Sequence, residues 1–95
     1  MEILKGYIMT DPLSDGMNAY ANQDYAKAYE ILYPLGAYSR NDEAQFYLGM
    51  MFFYGEGVEQ STEVAMNWWK KAMRGGNVDA AYRLSEIATS TKTTF

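Results

Sequence analysis

The chain has 95 residues, 48% of them apolar and 21% charged. That fits one small globular domain burying roughly 65% of the surface its open chain exposes. It contains no cysteine and no histidine, which excludes disulfides, thiol nucleophiles, histidine general bases and the common zinc, haem and iron–sulfur ligand sets. Eight Lys and Arg stand against twelve Asp and Glu, a net charge of −4, and no basic stripe could neutralise a run of phosphates, so nucleic acid is not an expected partner.

The charge is uneven. Residues 1–60 carry nine acids and three bases, and residues 61–95 carry three acids and five bases. The longest unbroken apolar run, Met50 to Tyr54, is too short to span a membrane. The opening MEILKGYIMT has neither a basic leader nor a long apolar stretch, so the expected location is cytoplasmic, with no membrane partner. Nine Tyr, four Phe, two Trp and seven Met are many for this length. Such residues build helix-to-helix cores or sticky surfaces, and for any single one the core is the commoner fate.

Asp11-Pro12 opens a helix, Asp as a cap for free N–H groups and Pro with its preset angle at the first helical position. That helix runs to about Asn22, with Leu13, Met17, Tyr20 and Ala21 at helical spacing. After Asn22-Gln23-Asp24, the spacing of Tyr25, Ala28, Tyr29, Ile31, Leu32 and Leu35 predicts a second helix, kinked or tightened at Pro34 and ended by Tyr38. Asn41-Asp42-Glu43 supplies a cap and first-turn acids for a third helix to Tyr54, stopped by Gly55-Glu56-Gly57. Ser61 caps a fourth helix, Thr62 to Gly75, with Val64, Ala65, Trp68, Trp69, Ala72 and Met73 inward and its bases in the last turns. Asn77 begins a fifth helix to about Thr89, followed by a polar tail.

Asn41-Asp42-Glu43-Ala44 and Asn77-Val78-Asp79-Ala80 share cap and small residue, and Leu48 matches Leu84, all at an offset of 36. Ala28 and Ala65 match at an offset of 37. In an all-helical chain such a period means helix-turn-helix units that stack, because one pair cannot bury its apolar face alone. The expected fold is all-α, a short right-handed α-solenoid of about five helices in one domain. Residues 11–40 form a degenerate first repeat, 41–76 a full repeat, 77–89 a half repeat or cap, and 90–95 the tail.

The stretch AQFYLGMMFFYGEGVEQSTEVAMNWWKKAMRGGNVDAA resembles a Sel-one-like repeat, a tetratricopeptide-related motif. Ala44, Leu48, Gly49, Phe52, Gly55, Gly57, Val58, Ala65, Trp68, Trp69, Ala72, Gly76 and Ala80 occupy its characteristic positions. Ser61 replaces the usual Asp, Met73 a usual Ala, and Ser85 a usual Gly. The resemblance implies an adaptor or scaffold that binds other proteins. The residues themselves read as structural: small ones allow close helix approach, large ones fill the space between, and Gly76 permits a left-handed turn.

By rotation around the third helix, Gln45, Leu48, Gly49 and Phe52 face their own repeat, and Ala44, Tyr47 and Met51 face the neighbour. Phe46, Met50, Phe53 and Tyr54 remain. With Met17, Tyr20, Tyr82 and Glu86 they form an expected concave partner-binding strip, an apolar face without an intramolecular partner. The competing expectation is that Ile3, Leu4, Tyr7, Ile8 and Met9 fold back over it.

An enzyme is not expected. Glu56, Glu59 and Glu63 lie near one loop but read as solvated charges, with no nucleophile or substrate cradle beside them. Gly55-x-Gly57 follows a helix and lacks the Lys-Ser/Thr of a phosphate loop. Asp and Asn do not recur at calcium-loop spacing, so neither metal nor cofactor is expected. Besides the adaptor, a dedicated inhibitor such as a bacterial immunity protein also suits a small acidic chain. The last helix has no following helix, and its side including Ile87 predicts a weak homodimer.

Overall fold

The computed structural model describes residues 11–92. Among them are five helices and no strand: α1 Pro12–Ala21, α2 Tyr25–Ala37, α3 Asp42–Tyr54, α4 Thr62–Arg74 and α5 Val78–Lys92. Each packs on the next in chain order, giving an all-α stack of helical hairpins.

The starts of α3, α4 and α5 are set by local chemistry. The side chains of Asn41, Ser61 and Asn77 accept from the N–H groups of Ala44, Val64 and Ala80 at 2.9, 3.2 and 2.8 Å, each satisfying a donor that has no partner within its helix. Asp11 does not behave this way. Its carboxylate accepts from the Ser14 hydroxyl at 3.1 Å and makes no cap to the backbone. At α2 it is Asp24 that accepts from Lys27 N–H, at 3.4 Å.

The ends hold to expectation with one extension. Pro34 lies within α2, which runs three residues further and stops at Ala37. Gly55 closes α3 in the left-handed region at φ 70°, and Gly76 follows α4 at φ 100°. Helix α5 continues to Lys92 instead of ending near Thr89. The Thr89 hydroxyl donates to Ser85 O at 2.9 Å, folding its side chain back on the helix.

The two tryptophans of α4 are neighbours in sequence and enter different cores. Trp68 joins Ala19, Ala28, Leu32, Ala44, Leu48 and Met51 between α1, α2 and α3, while Trp69 joins Ala65, Ala72 and Ala80. Gly49 makes room for Trp69: a Cβ there would lie 2.8 Å from Trp69 Cε2 and closer still to Nε1. Trp69 Nε1 donates to Phe46 O at 3.1 Å across this seat. The first hairpin has the same seat in a smaller size, where a Cβ on Gly16 would lie 2.8 Å from Leu32 Cγ. Small residue against large residue is thus how each hairpin closes.

Gln45 is buried, and its Nε2 donates to Gly36 O at 3.0 Å, tying α3 to α2 of the preceding hairpin. It therefore serves the joint between hairpins and not the interior of its own. Ile3, Leu4, Tyr7, Ile8 and Met9, expected as a cover for the strip, lie outside the described residues.

Candidate protein-binding strip

The strip is built from three helices and one loop. Tyr20, on α1, is half-buried, and its hydroxyl donates to Glu56 Oε1 at 2.6 Å. Tyr25 adds a longer bond to Glu56 Oε2 at 3.4 Å. The loop that delivers Glu56 turns on two residues with positive φ, Gly55 at 70° and Gly57 at 78°. Gly57 lies so close to Tyr25 that a Cβ would sit 2.7 Å from the Tyr25 Cβ. Glu56 is accordingly not a solvated loop charge. The Gly-x-Gly turn carries it back between two phenols, a long-range contact whose local signal is only the pair of turn glycines.

Burial, and after it the bond to Glu56, pushes the Tyr20 phenol well above the ordinary tyrosine range, with a smaller push from Tyr54. Burial also raises Tyr47, reinforced by Glu43 and Asp79. These phenols stay protonated at neutral pH and act as hydrogen-bond donors and packing surface, not as bases or nucleophiles. The rings are continuous: Tyr20 meets Tyr25 at 5.5 Å and Tyr47 at 5.2 Å, and Tyr47 meets Phe46 at 5.6 Å, all edge-on.

Phe46, Met50 and Phe53 correct the expectation of a face without an intramolecular partner. All three are half-buried against the cluster of Ala65, Trp69, Ala72 and Ala80, together with Leu84 and Ile87 of α5. The Phe53 ring lies 5.4 Å from Trp69. Ile87 likewise packs on this cluster and is not part of an outward face. The physical reason is the seating of α4 and α5: Ala65, Trp69 and Ala72 of α4, with Ala80 of α5, form the apolar surface against which this face is buried.

The outer members are open. Tyr54 is 51% exposed and Tyr82 64%, and Glu86 is exposed too, while Met17 is half-buried on α1. Arg83, outside the set expected from helical spacing, connects the margin. Its Nη1 donates to the Tyr54 hydroxyl at 3.4 Å and lies 3.7 Å from Glu86 Oε1, the ordinary reach of an i,i+3 pair. Between α3, α4 and α5 runs a groove of about 420 Å³ lined by Phe53, Trp69, Arg83, Glu86 and Ile87 among others.

Among the described residues no three Asp or Glu side chains converge as a metal site would require. No described helix is long and apolar enough to cross a membrane. Residues 42–77 match the family model of the Sel1 repeat, a span that begins with α3, includes α4 and ends on the Asn77 cap of α5. Sel1 repeats generally mediate protein–protein interaction. The match covers the Gly49–Trp69 seat and the turn glycines described above, so the chain carries a Sel1 repeat within an all-α stack.

Proposed function

We propose that this chain is a protein–protein interaction module of the adaptor type. A partner protein or peptide lies along Met17, Tyr20, Phe46, Met50, Phe53, Tyr54, Tyr82 and Glu86. The observation that carries this reading is the pairing of exposed Tyr54 and Tyr82 with Arg83 beside an aromatic groove. Tyrosine and arginine are the side chains most often found as binding anchors, because each offers a large rigid surface with a polar end. Phe46, Met50 and Phe53 then serve as the half-buried floor, held in place by Trp69, while Tyr54, Tyr82 and Glu86 make the outer contacts. Tyr20 is fixed by Glu56 and bounds the strip at the α1 side.

The test uses the full chain as bait in an extract of its native host, with the captured proteins identified by mass spectrometry. The same capture is repeated with Tyr54→Ser/Tyr82→Ser. Both side chains are exposed, so the double variant keeps its helical circular dichroism and melting temperature. Binding of the recovered partner should weaken by at least ~2 kcal/mol. Unchanged affinity in the folded double variant rejects the strip. A partner that exchanges within seconds supports the adaptor, whereas a one-to-one complex lasting hours identifies an inhibitor.

A further inference from the structure

At the end of the stack away from the Gly55–Gly57 turn, a cleft of about 430 Å³ opens where α2 ends, α3 begins and α4 ends. Its lining includes Arg40, Lys71 and Arg74 with Gly36, Gln45 and Gly75, and no carboxylate. Three cations around one cleft stand out in a chain of net charge −4. All three are exposed.

Lys71 and Arg74 stand in the last turn of α4, where the helix dipole favours cations, but hydrogen bonding to the ends of α2 and α4 does not engage the three side chains. The Pro34 and Leu35 carbonyls accept from the backbone N–H groups of Tyr38, Ser39 and Asn41, and Gly36 O accepts from Gln45 Nε2. The Lys71, Ala72 and Met73 carbonyls accept from the N–H groups of Gly75, Gly76 and Asn77. These six carbonyls are therefore satisfied within the backbone and by Gln45, without the three cations. Asp42, which packs beside Gly75, is bound by Asn77 Nδ2 at 3.3 Å. Among the described residues the side chains of Arg40 and Arg74 have no hydrogen bond or ion pair, and the Lys71 ammonium rests 4.9 Å over the Trp68 ring.

Arg40 has a further peculiarity. Its φ is +56°, in the left-handed region, at a helix exit where glycine or asparagine ordinarily serves. The α4 exit uses Gly76 for its own left-handed residue, at +100°. Placing an arginine here accepts a backbone cost that glycine avoids, and the result is a long cation on the rim of the cleft.

We propose that this cleft docks a short acidic segment of a partner protein, with its side-chain carboxylates taken by Arg40, Lys71 and Arg74. The proposal rests on the protein-binding reading of the chain but uses a different surface from the aromatic strip. Charge argues for a short segment over a long polyanion. Apart from these three residues the chain is more acidic still, so nucleic acid running beyond the cleft meets repulsion. The guanidinium groups favour a carboxylate because their paired N–H donors match its two oxygens.

The experiment measures fluorescence anisotropy of a labelled, end-blocked hexaglutamate peptide titrated with the full chain at low salt. Saturable binding that weakens as salt is added is the expected result, with no binding of hexaglutamine. Arg40→Gln/Arg74→Gln should lower the affinity at least tenfold with unchanged circular dichroism, while Lys27→Gln, outside the cleft, leaves it intact. Absence of saturable binding overturns the proposal. So does equal binding by the Arg40/Arg74 and Lys27 variants, or tighter binding of a hexathymidylate oligonucleotide through the same arginines. Partner capture by the Arg40/Arg74 variant separates the two readings: capture lost through Tyr54 and Tyr82 with no peptide binding removes the cleft alone.

Discussion

Helices α3 and α5 begin alike and finish differently. Each starts at an asparagine whose side chain accepts from the N–H three residues on, and each places a fully buried alanine, Ala44 or Ala80, in the first turn. One turn later they part. Leu48 is fully buried and Gly49 is covered by Trp69, whereas Leu84 is half-buried and Ser85 is exposed. A helix of this repeat is finished by the helix that follows it, and among the described residues α5 has no such successor. The glycine at the α3 position is a consequence of that cover. Where no indole descends, a serine is accommodated without conflict.

Removing the cover from α3 is the largest expected effect. Trp69→Ala deletes a side chain that is 1% exposed and contacts both α3 and the α5 cluster. It should cost about 3 to 5 kcal/mol in chemical denaturation, a large part of the stability of a domain this size. Filling the seat instead is milder. Gly49→Ala forces the indole and the α3 backbone apart and should cost about 1 to 3 kcal/mol, despite the better helix propensity of alanine. If both variants melt with the wild type, Gly49 and Trp69 are not the closure of this hairpin.

The helix starts were legible because a cap needs only residues within one turn, and Asn41, Ser61 and Asn77 all carried the signal. The Gly49 seat was legible through the pattern of the repeat. Asp11-Pro12 marked the start of α1 correctly, but the Asp11 carboxylate takes the Ser14 hydroxyl and makes no cap to the backbone, a side-chain choice that composition does not decide. The strip was legible as a set of aromatic positions but not in its exposure. Rotation around α3 places Phe46, Met50 and Phe53 on one face, yet only the seating of Trp69 and of α5 determines that this face is half covered. Glu56 was illegible for a related reason. Its two phenol partners lie 31 and 36 residues away, and two left-handed glycines bring them together.

The two flanks of α3 also differ in how their polar contacts respond to pH. On the α1 side the Tyr20–Glu56 bond is short and half-buried, while on the α5 side the Arg83 contacts are exposed and long. Tyr20 holds its proton more tightly folded than unfolded. Its contribution is therefore complete below the unfolded tyrosine value of about 10 and falls as pH rises above it. Stability should decline on the alkaline side of that point, and Tyr20→Phe should flatten the decline while lowering stability at neutral pH by about 1 kcal/mol through the lost bond. Denaturation midpoints followed from neutral to strongly alkaline pH provide the measurement. An equal alkaline slope in wild type and Tyr20→Phe would assign the pH dependence to other groups.

The smallest effect is expected at the open position of α5. Ser85→Ala exchanges one exposed side chain for a better helix former and should move stability by no more than about 0.5 kcal/mol. This is the counterpart of Gly49→Ala, and the contrast between them measures what the Trp69 cover contributes. The same exposure bears on self-association. Val78 is 78% exposed, and the exposed side of α5 continues through Ser85 and Ala88, so a second copy is a natural cover for it. Light scattering should show a mass that rises with concentration, reversibly and without a plateau at low concentration, as a small interface gives. Ser85→Glu places like charges near one another across a symmetric contact of this kind and should return the mass to that of the monomer without altering the helix content. A constant monomer mass in the wild type would mean that an exposed repeat end is tolerated on its polar residues alone, and that Ser85 in place of glycine is suited to water and not to a second helix.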